Sequence, residues 1–174
     1  MAFLGRSNVG KSSLLNALTA TRNLARVSSR PGHTRLVNFY RVGNELYLAD
    51  LPGYGYARVP ESMRQGWEEL VRSYLVGRAP LALGVFLVDL RHEPMEGDRM
   101  LRAFLDDQGL PYVIAAAKAD TLGRGQATAR VRALRGDLGR RAVDVLPVSA
   151  KTGDGIPELW RTIRAAARRG PREN

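Results

Sequence analysis

The chain has 174 residues, 44% of them hydrophobic, enough for one domain with a sizeable core; the absence of cysteine excludes disulfides, thiolate zinc sites and cysteine nucleophiles. Two histidines, His33 and His92, argue against a histidine-rich metal centre, and the longest apolar run, 81–88, is far below the roughly 20 residues a membrane helix needs. Basic residues outnumber acidic ones by 27 to 17, and no Asp or Glu precedes position 45, a bias that suits a polyanionic ligand, either a nucleotide or nucleic acid.

In chain order, Ala2–Leu4 predicts a short strand and Lys11–Thr19 a helix carrying Leu14, Leu15, Ala17 and Leu18. The apolar start runs straight into a Gly-rich loop, which leaves no room for a signal peptide and predicts a cytoplasmic protein. Arg22–Arg35 lacks periodicity and contains Ser28, Ser29, Pro31 and Gly32, as a long loop does. Leu36–Val42 and Glu45–Asp50 flank Gly43-Asn44 and predict a hairpin. Glu61–Val76 is helical, with Trp67, Leu70, Val71 and Tyr74 forming a core stripe at i, i+3, i+4 and i+7. Leu81–Asp89 and Pro111–Ala117 are near-continuous apolar runs, as in strands buried on both faces. Helices are expected over Asp98–Asp107, Gln126–Leu138 and Pro157–Ala167, and a last strand over Val143–Val148. This alternation predicts an α/β protein, a three-layer α/β/α sandwich with a mostly parallel six-stranded sheet and one antiparallel edge strand. One domain over 1–168 would be followed by a basic flexible tail, 169–174.

Four segments carry chemistry. Gly5-Arg6-Ser7-Asn8-Val9-Gly10-Lys11-Ser12 matches a phosphate-binding P-loop in full, between an apolar strand and a helix. Its backbone N–H groups would cradle phosphates, Lys11 would neutralise their β/γ charge, and the Ser12 hydroxyl would ligate Mg2+. Asp50-Leu51-Pro52-Gly53 ends a strand 39 residues after Lys11. There Asp50 would hold the magnesium through a water, and the Gly53 N–H would meet the γ-phosphate. In the loop between them, Thr34 would complete the metal shell only while a γ-phosphate is present, making 22–35 and 53–60 two switches. Gly32, His33, Arg35 and Leu36 stand beside it as nucleotide contacts. Ala117-Lys118-Ala119-Asp120 follows a buried strand, where a carboxylate can accept from guanine N1–H and the 2-amino group; adenine offers neither donor. Val148-Ser149-Ala150-Lys151 ends the last strand, with the Ala150 N–H in reach of guanine O6. Four such segments in this order, each at a strand's C-terminal end, place a ligand at the edge where open α/β sheets bind them.

These are the signatures of a Ras-like GTPase domain. At Gly5–Ser12, Pro31-Gly32-His33-Thr34, Asn38-Phe39 and above all Asp50-Leu51-Pro52-Gly53-Tyr54-Gly55-Tyr56-Ala57, the sequence resembles the EngB (YihA/YsxC) family, within the TrmE-Era-EngA-like P-loop GTPases. The resemblance spans nearly the whole chain. It implies a bacterial GTPase that serves assembly of the large ribosomal subunit and is needed for normal cell division and septation. Where that family usually carries Thr or Asn to tie the guanine motif to the P-loop, this chain has Ala117, which implies a weaker tie.

Tyr54 stands where many GTPases place a water-positioning Gln, so slow unaided hydrolysis is expected, with Lys11, Asn8, Thr34 and Gly53 as the catalytic set. In similar GTPases an Asn at the position of Asn8 helps hold K+ between the α- and γ-phosphates; an Asn that merely shapes the loop is the alternative. First-switch arginines, or a partner's arginine or RNA group, are rivals for the missing role. Arg124, Arg130, Arg132, Arg135, Arg140 and Arg141 gather near one helix, and Arg161, Arg164, Arg168, Arg169 and Arg172 near the last, suiting rRNA phosphates. Tyr54 and Tyr56 could stack on unpaired bases, although switch tyrosines that merely pack are more common. The expected partners are GTP or GDP and the large ribosomal subunit or its precursor, with no membrane and no DNA, and the protein is expected to be a monomer. Two other classes stay open: a guanine-nucleotide-dependent RNA-binding factor with little turnover, and a P-loop ATPase or kinase.

Overall fold

A computed structural model describes residues 1–21, 23–25, 36–44, 46–55 and 61–169, the side chains of 61–65 and 67 excepted. Its strands are β1 (Ala2–Gly5), β2 (Asn38–Val42), β3 (Leu46–Asp50), β4 (Gly84–Asp89), β5 (Tyr112–Ala117) and β6 (Val145–Val148). The helices are α1 (Lys11–Thr19), α2 (Glu61–Leu75), α3 (Glu96–Asp107), α4 (Arg124–Asp137) and α5 (Ile156–Arg168), with one 3₁₀ turn at Ala119–Thr121. The sheet order is β2-β3-β1-β4-β5-β6; every neighbouring pair is parallel except β2 with β3, the expected hairpin. This is the Ras-like α/β architecture that the motifs imply.

Alternation along the central strands explains the layers. In β4, Phe86 and Val88 face one core, with Val71 and Leu75 of α2, Leu101 and Leu105 of α3 and Leu134 of α4. Val85 and Leu87 face the other, with Leu14, Leu15 and Leu18 of α1 and Leu159 and Ile163 of α5. Each such buried aliphatic side chain contributes about 1.5–3 kcal/mol. The α2 stripe holds at Val71, which is buried, while Leu70 and Tyr74 are half-buried and the Trp67 side chain lies outside the described residues. Leu75 joins the core as well.

Several boundaries differ from the sequence expectation. Leu36 and Val37 precede β2 rather than belonging to it, and Leu36 is exposed. Residues 81–83 form a turn-linked approach to β4, with the Leu81 N–H on the Arg78 carbonyl and the Leu83 carbonyl accepting the Ala2 N–H at 3.0 Å; they are apolar because they enter the core ahead of the first strand residue, Gly84. β6 begins at Val145 because Val143, half-exposed, packs no core. Helix α3 starts at Glu96, earlier than expected, because the Asp98 carboxylate accepts the Met95 N–H at 2.7 Å and closes a cap. Helix α4 starts at Arg124, after an extended Gly123. The long loop expected over 22–35 and the tail beyond 169 lie largely outside the described residues.

Candidate functional site

The C-terminal ends of β1, β3, β5 and β6 gather the four motifs along one edge of the sheet. After β1 the backbone turns through Asn8 at φ 63° and Gly10 at φ 108° before α1 begins. A side chain at position 10 would be strained at that φ, whereas Asn is among the few residues that tolerate the left-handed region. The Asn8 side chain is exposed. Lys11 is buried and forms an ion pair with Asp50, also buried, which ends β3. Burial pushes the Asp50 carboxyl up, while the Lys11 charge and hydrogen bond pull it down. Asp50 is thus a desolvated carboxylate that gains from a nearby cation.

The two phosphate-side motifs touch directly. The Ser7 N–H donates to the Tyr54 carbonyl at 2.9 Å, and Arg6 and Tyr54 form a parallel bridge. Leu51, Pro52 and Gly53 are buried, and Gly53 lies against the Ser7 backbone so closely that a Cβ would stand 2.8 Å from its nitrogen. Ser7 Oγ is buried with no hydrogen-bond partner among the described residues. Ser12 is half-buried at the start of α1. Ser12 and Asp50 offer hard oxygen donors, the set that suits Mg2+ bound beside phosphates.

On the base side, Lys118 adopts a left-handed backbone and its Nζ donates to the Asn8 carbonyl at 3.1 Å and to Asp89 at 2.9 Å. Lys118 therefore makes the tie to the P-loop that Ala117, buried and without a polar side-chain atom, does not make. Asp89 ends β4, is itself buried, and also accepts from Arg91 Nε at 2.9 Å and Nη2 at 2.8 Å. Burial alone would raise Asp89; hydrogen bonds from Arg91 and Lys118 outweigh it and hold the carboxyl well below the usual range. Asp120, the residue after Ala119 in the 3₁₀ turn, is exposed, and its Oδ1 accepts from Ser149 Oγ at 2.7 Å. That hydroxyl, fully buried after Val148, in turn accepts the Lys151 N–H at 3.2 Å and the Thr152 N–H at 3.1 Å. The Ser149 N–H meets the Asp154 carbonyl at 2.9 Å, and the Gly153 N–H meets the Ser149 carbonyl at 2.9 Å. Ala150 is half-buried beside this hub.

Gly5, Arg6, Ser7, Asn8, Val9, Gly10, Lys11, Ser12, Asp50, Gly53, Lys118, Asp120 and Ser149–Lys151 are thus brought to one edge. Gly32, His33, Thr34 and Arg35, with Tyr56, lie outside the described residues. Of the two readings of Tyr54, packing rather than base stacking holds: it is buried and its hydroxyl donates to Asp98. The arginine clusters are partly neutralised, since Arg130 pairs with Glu93, Arg135 with Asp144 and Arg161 with Glu158, while Arg164 lies over Trp160. Arg124, Arg132, Arg140, Arg168 and Arg169 are exposed without an ion pair among the described residues. Asp89, Arg91 and Asp98 escaped the sequence reading; the only signal was an Asp at the end of an apolar strand, which is usually a turn.

Comparison with known proteins agrees with this geometry. Residues 1–118 match a family model described as a 50S ribosome-binding GTPase. A probable GTP-binding protein EngB from Solibacter usitatus is 46% identical over 163 residues, covering 94% of this chain and 83% of the relative. One from Gemmatimonas aurantiaca is 48% identical over 160 residues, covering 91% and 78%. A crystal structure of a probable GTP-binding protein EngB superposes with a TM-score of 0.79 at 26% identity, covering 97% of this chain and 98% of that one. Era in complex with MgGDPNP and a 16S ribosomal RNA segment shares the fold, with a TM-score of 0.76 at 22% identity over 99% of this chain and 56% of that one. No helix among the described residues is long and apolar enough to cross a membrane.

Proposed function

The chain belongs to the EngB family of GTP-binding proteins, GTPases by their domain, and we propose that it acts as a Mg2+-dependent switch in assembly of the large ribosomal subunit. The observation that carries this reading is the meeting of a buried Lys11–Asp50 pair with the Asp120–Ser149 hydrogen bond on one sheet edge.

Lys11 leaves Asp50 for the β/γ-phosphates when GTP enters, and the desolvated carboxylate then needs another cation. Ser12 would hold Mg2+ directly, Asp50 through a water, and Thr34 from the first switch; the ion would screen phosphate charge during transfer. The P-loop N–H groups and the Gly53 N–H orient the triphosphate, and the Ser7 hydroxyl, without a partner among the described residues, has a hydrogen bond to give. Asp120 reads guanine with the oxygen edge that Ser149 leaves free.

Tyr54 has its hydroxyl in the core, so it does not orient the attacking water, and slow turnover follows. The missing group comes from a K+ held by Asn8, whose side chain is exposed beside the phosphate loop, or from the ribosomal partner. The unpaired arginines near α4 and α5 supply the charge for rRNA, supported by the description of the matching family model. The protein works in the cytoplasm as a monomer, and a septation defect on its loss follows from failed ribosome assembly.

Single-turnover GTP hydrolysis in K+ against Na+ buffer, with and without large subunits, tests the scheme. A rise with K+ assigns Asn8 its cation; a rise only with the subunit places the group on the partner. Absence of hydrolysis in every condition refutes the switch and leaves a guanine-nucleotide-dependent binding factor.

A further inference from the structure

Tyr54 directly follows Gly53, whose N–H is assigned to the γ-phosphate, and it is fixed from three directions. Its carbonyl accepts the Ser7 N–H at 2.9 Å, and its backbone bridges to Arg6. Its ring, 7% exposed, lies over the first turn of α3, where a Cβ on Gly97 would stand 3.0 Å from ring atoms Cδ2 and Cε2. Its hydroxyl donates to Asp98 Oδ1, while Asp98 Oδ2 accepts the Met95 N–H at 2.7 Å. Asp98 is 5% exposed, so this carboxylate is removed from water to receive two donors. Burial first, and then the Asp98 charge and hydrogen bond, push the phenol far above its ordinary range, which keeps it a donor at any working pH. The next residue, Gly55, is exposed at φ 80°.

A phenylalanine would fill the same apolar space without burying a hydroxyl and a carboxylate together. The polar pair therefore serves position rather than packing. We propose that the Tyr54–Asp98 hydrogen bond is a positioning device for the Gly53 N–H, tying it to the start of α3 and thereby setting the preference for GTP over GDP. Tyr54 and Asp98 are positioning residues; neither touches the nucleotide. Only a γ-phosphate reaches Gly53, so loosening the anchor weakens a pre-aimed donor for GTP and leaves the GDP contacts intact. The inference rests on the GTP-switch reading.

The test compares wild type with Tyr54→Phe and Gly97→Ala by dissociation constants for GDP and for a non-hydrolysable GTP analogue, with Tm in parallel. Tyr54→Phe is expected to weaken the GTP analogue about 10-fold and GDP less than roughly 2-fold, the scale of one hydrogen bond to a charged acceptor. Gly97→Ala keeps the hydroxyl and favours the helix, yet pushes the ring by a few tenths of an ångström. It is expected to shift the ratio of the two constants in the same direction, and it decides the matter alone if Tyr54→Phe does not fold. A ratio unchanged in the folded variants, or an equal loss for both ligands, overturns the proposal. A wild type that binds neither guanine nucleotide would instead overturn the GTP reading itself.

Discussion

Replacing Gly53 with alanine measures how tightly the P-loop and the Asp50–Gly53 segment are pressed together. The added Cβ would stand 2.8 Å from Ser7 N, 2.9 Å from Ser7 Cα and 2.9 Å from Ser7 Oγ. Carbon pairs settle at about 3.5–4.0 Å, so two backbone segments have to part by roughly 0.6 Å or more. The Ser7 N–H bond to the Tyr54 carbonyl spans that gap, and its loss costs about 0.5–1.5 kcal/mol. Overfilling a packed contact adds about 1–3 kcal/mol. Together these predict a loss of roughly 2–4 kcal/mol, or a fall in Tm on the order of 5–15 °C for a chain of this size. Urea unfolding and thermal melting give the stability, and titration with GDP and a GTP analogue gives the ligand effect. The analogue should weaken more than GDP, because the amide aimed at the γ-phosphate is displaced. A variant that melts within about 2 °C of wild type and binds the analogue unchanged would refute the close apposition.

Asp120→Asn should retain the Ser149 hydroxyl bond through its carbonyl and turn an amide donor toward the base. Guanine affinity is then expected to fall by at least about 100-fold while xanthine nucleotides gain, read by competition binding; unchanged GDP affinity would refute the assignment. Asp89 is held below its ordinary range when folded, so its stabilisation is present above the unfolded value near ~4 and is lost as pH falls below it. Asp89→Asn should flatten that acid limb of the stability curve and weaken nucleotide binding at neutral pH by freeing Lys118; an unaltered limb in acid unfolding would count against the clamp. Reversing Arg124, Arg132 and Arg140 to Glu should weaken binding to large subunits and reduce its salt slope, leaving GDP affinity in place. A parallel loss of GDP binding would contradict a surface role.

The motifs were legible because each is contiguous: a glycine loop between strand and helix needs no distant partner to be recognised. The antiparallel edge followed from the same kind of local signal, the Gly43-Asn44 turn between two strand-like runs, whereas the strand order β2-β3-β1-β4-β5-β6 came only with the structure. What escaped was set by residues far apart in sequence. Asp89 meets Lys118 across 29 positions and Tyr54 meets Asp98 across 44, so neither pair has a spacing to find. Met95 is not a residue type that announces a helix start, and the cap works only because Asp98 reaches back to it. Leu36 and Leu81 looked like strand because burial and pairing usually coincide; Leu81 is buried ahead of β4, and Leu36 is exposed ahead of β2. The Ala117 departure looked like a missing tie, but Lys118, the neighbour whose backbone is turned left-handed, supplies one.

The turn after β6 bears on the kinetics of ligand capture. Between Ser149 and Asp154 the chain closes on itself through two backbone bonds and the Ser149 hydroxyl, and that hydroxyl already engages Asp120. These bonds are all internal to the chain, so if Asp120 receives guanine as proposed, guanine should be selected at first encounter without an ordering step. Residence time is then governed at the opposite end, by the phosphates. Guanosine and GDP should consequently share an association rate and part company in how long they stay.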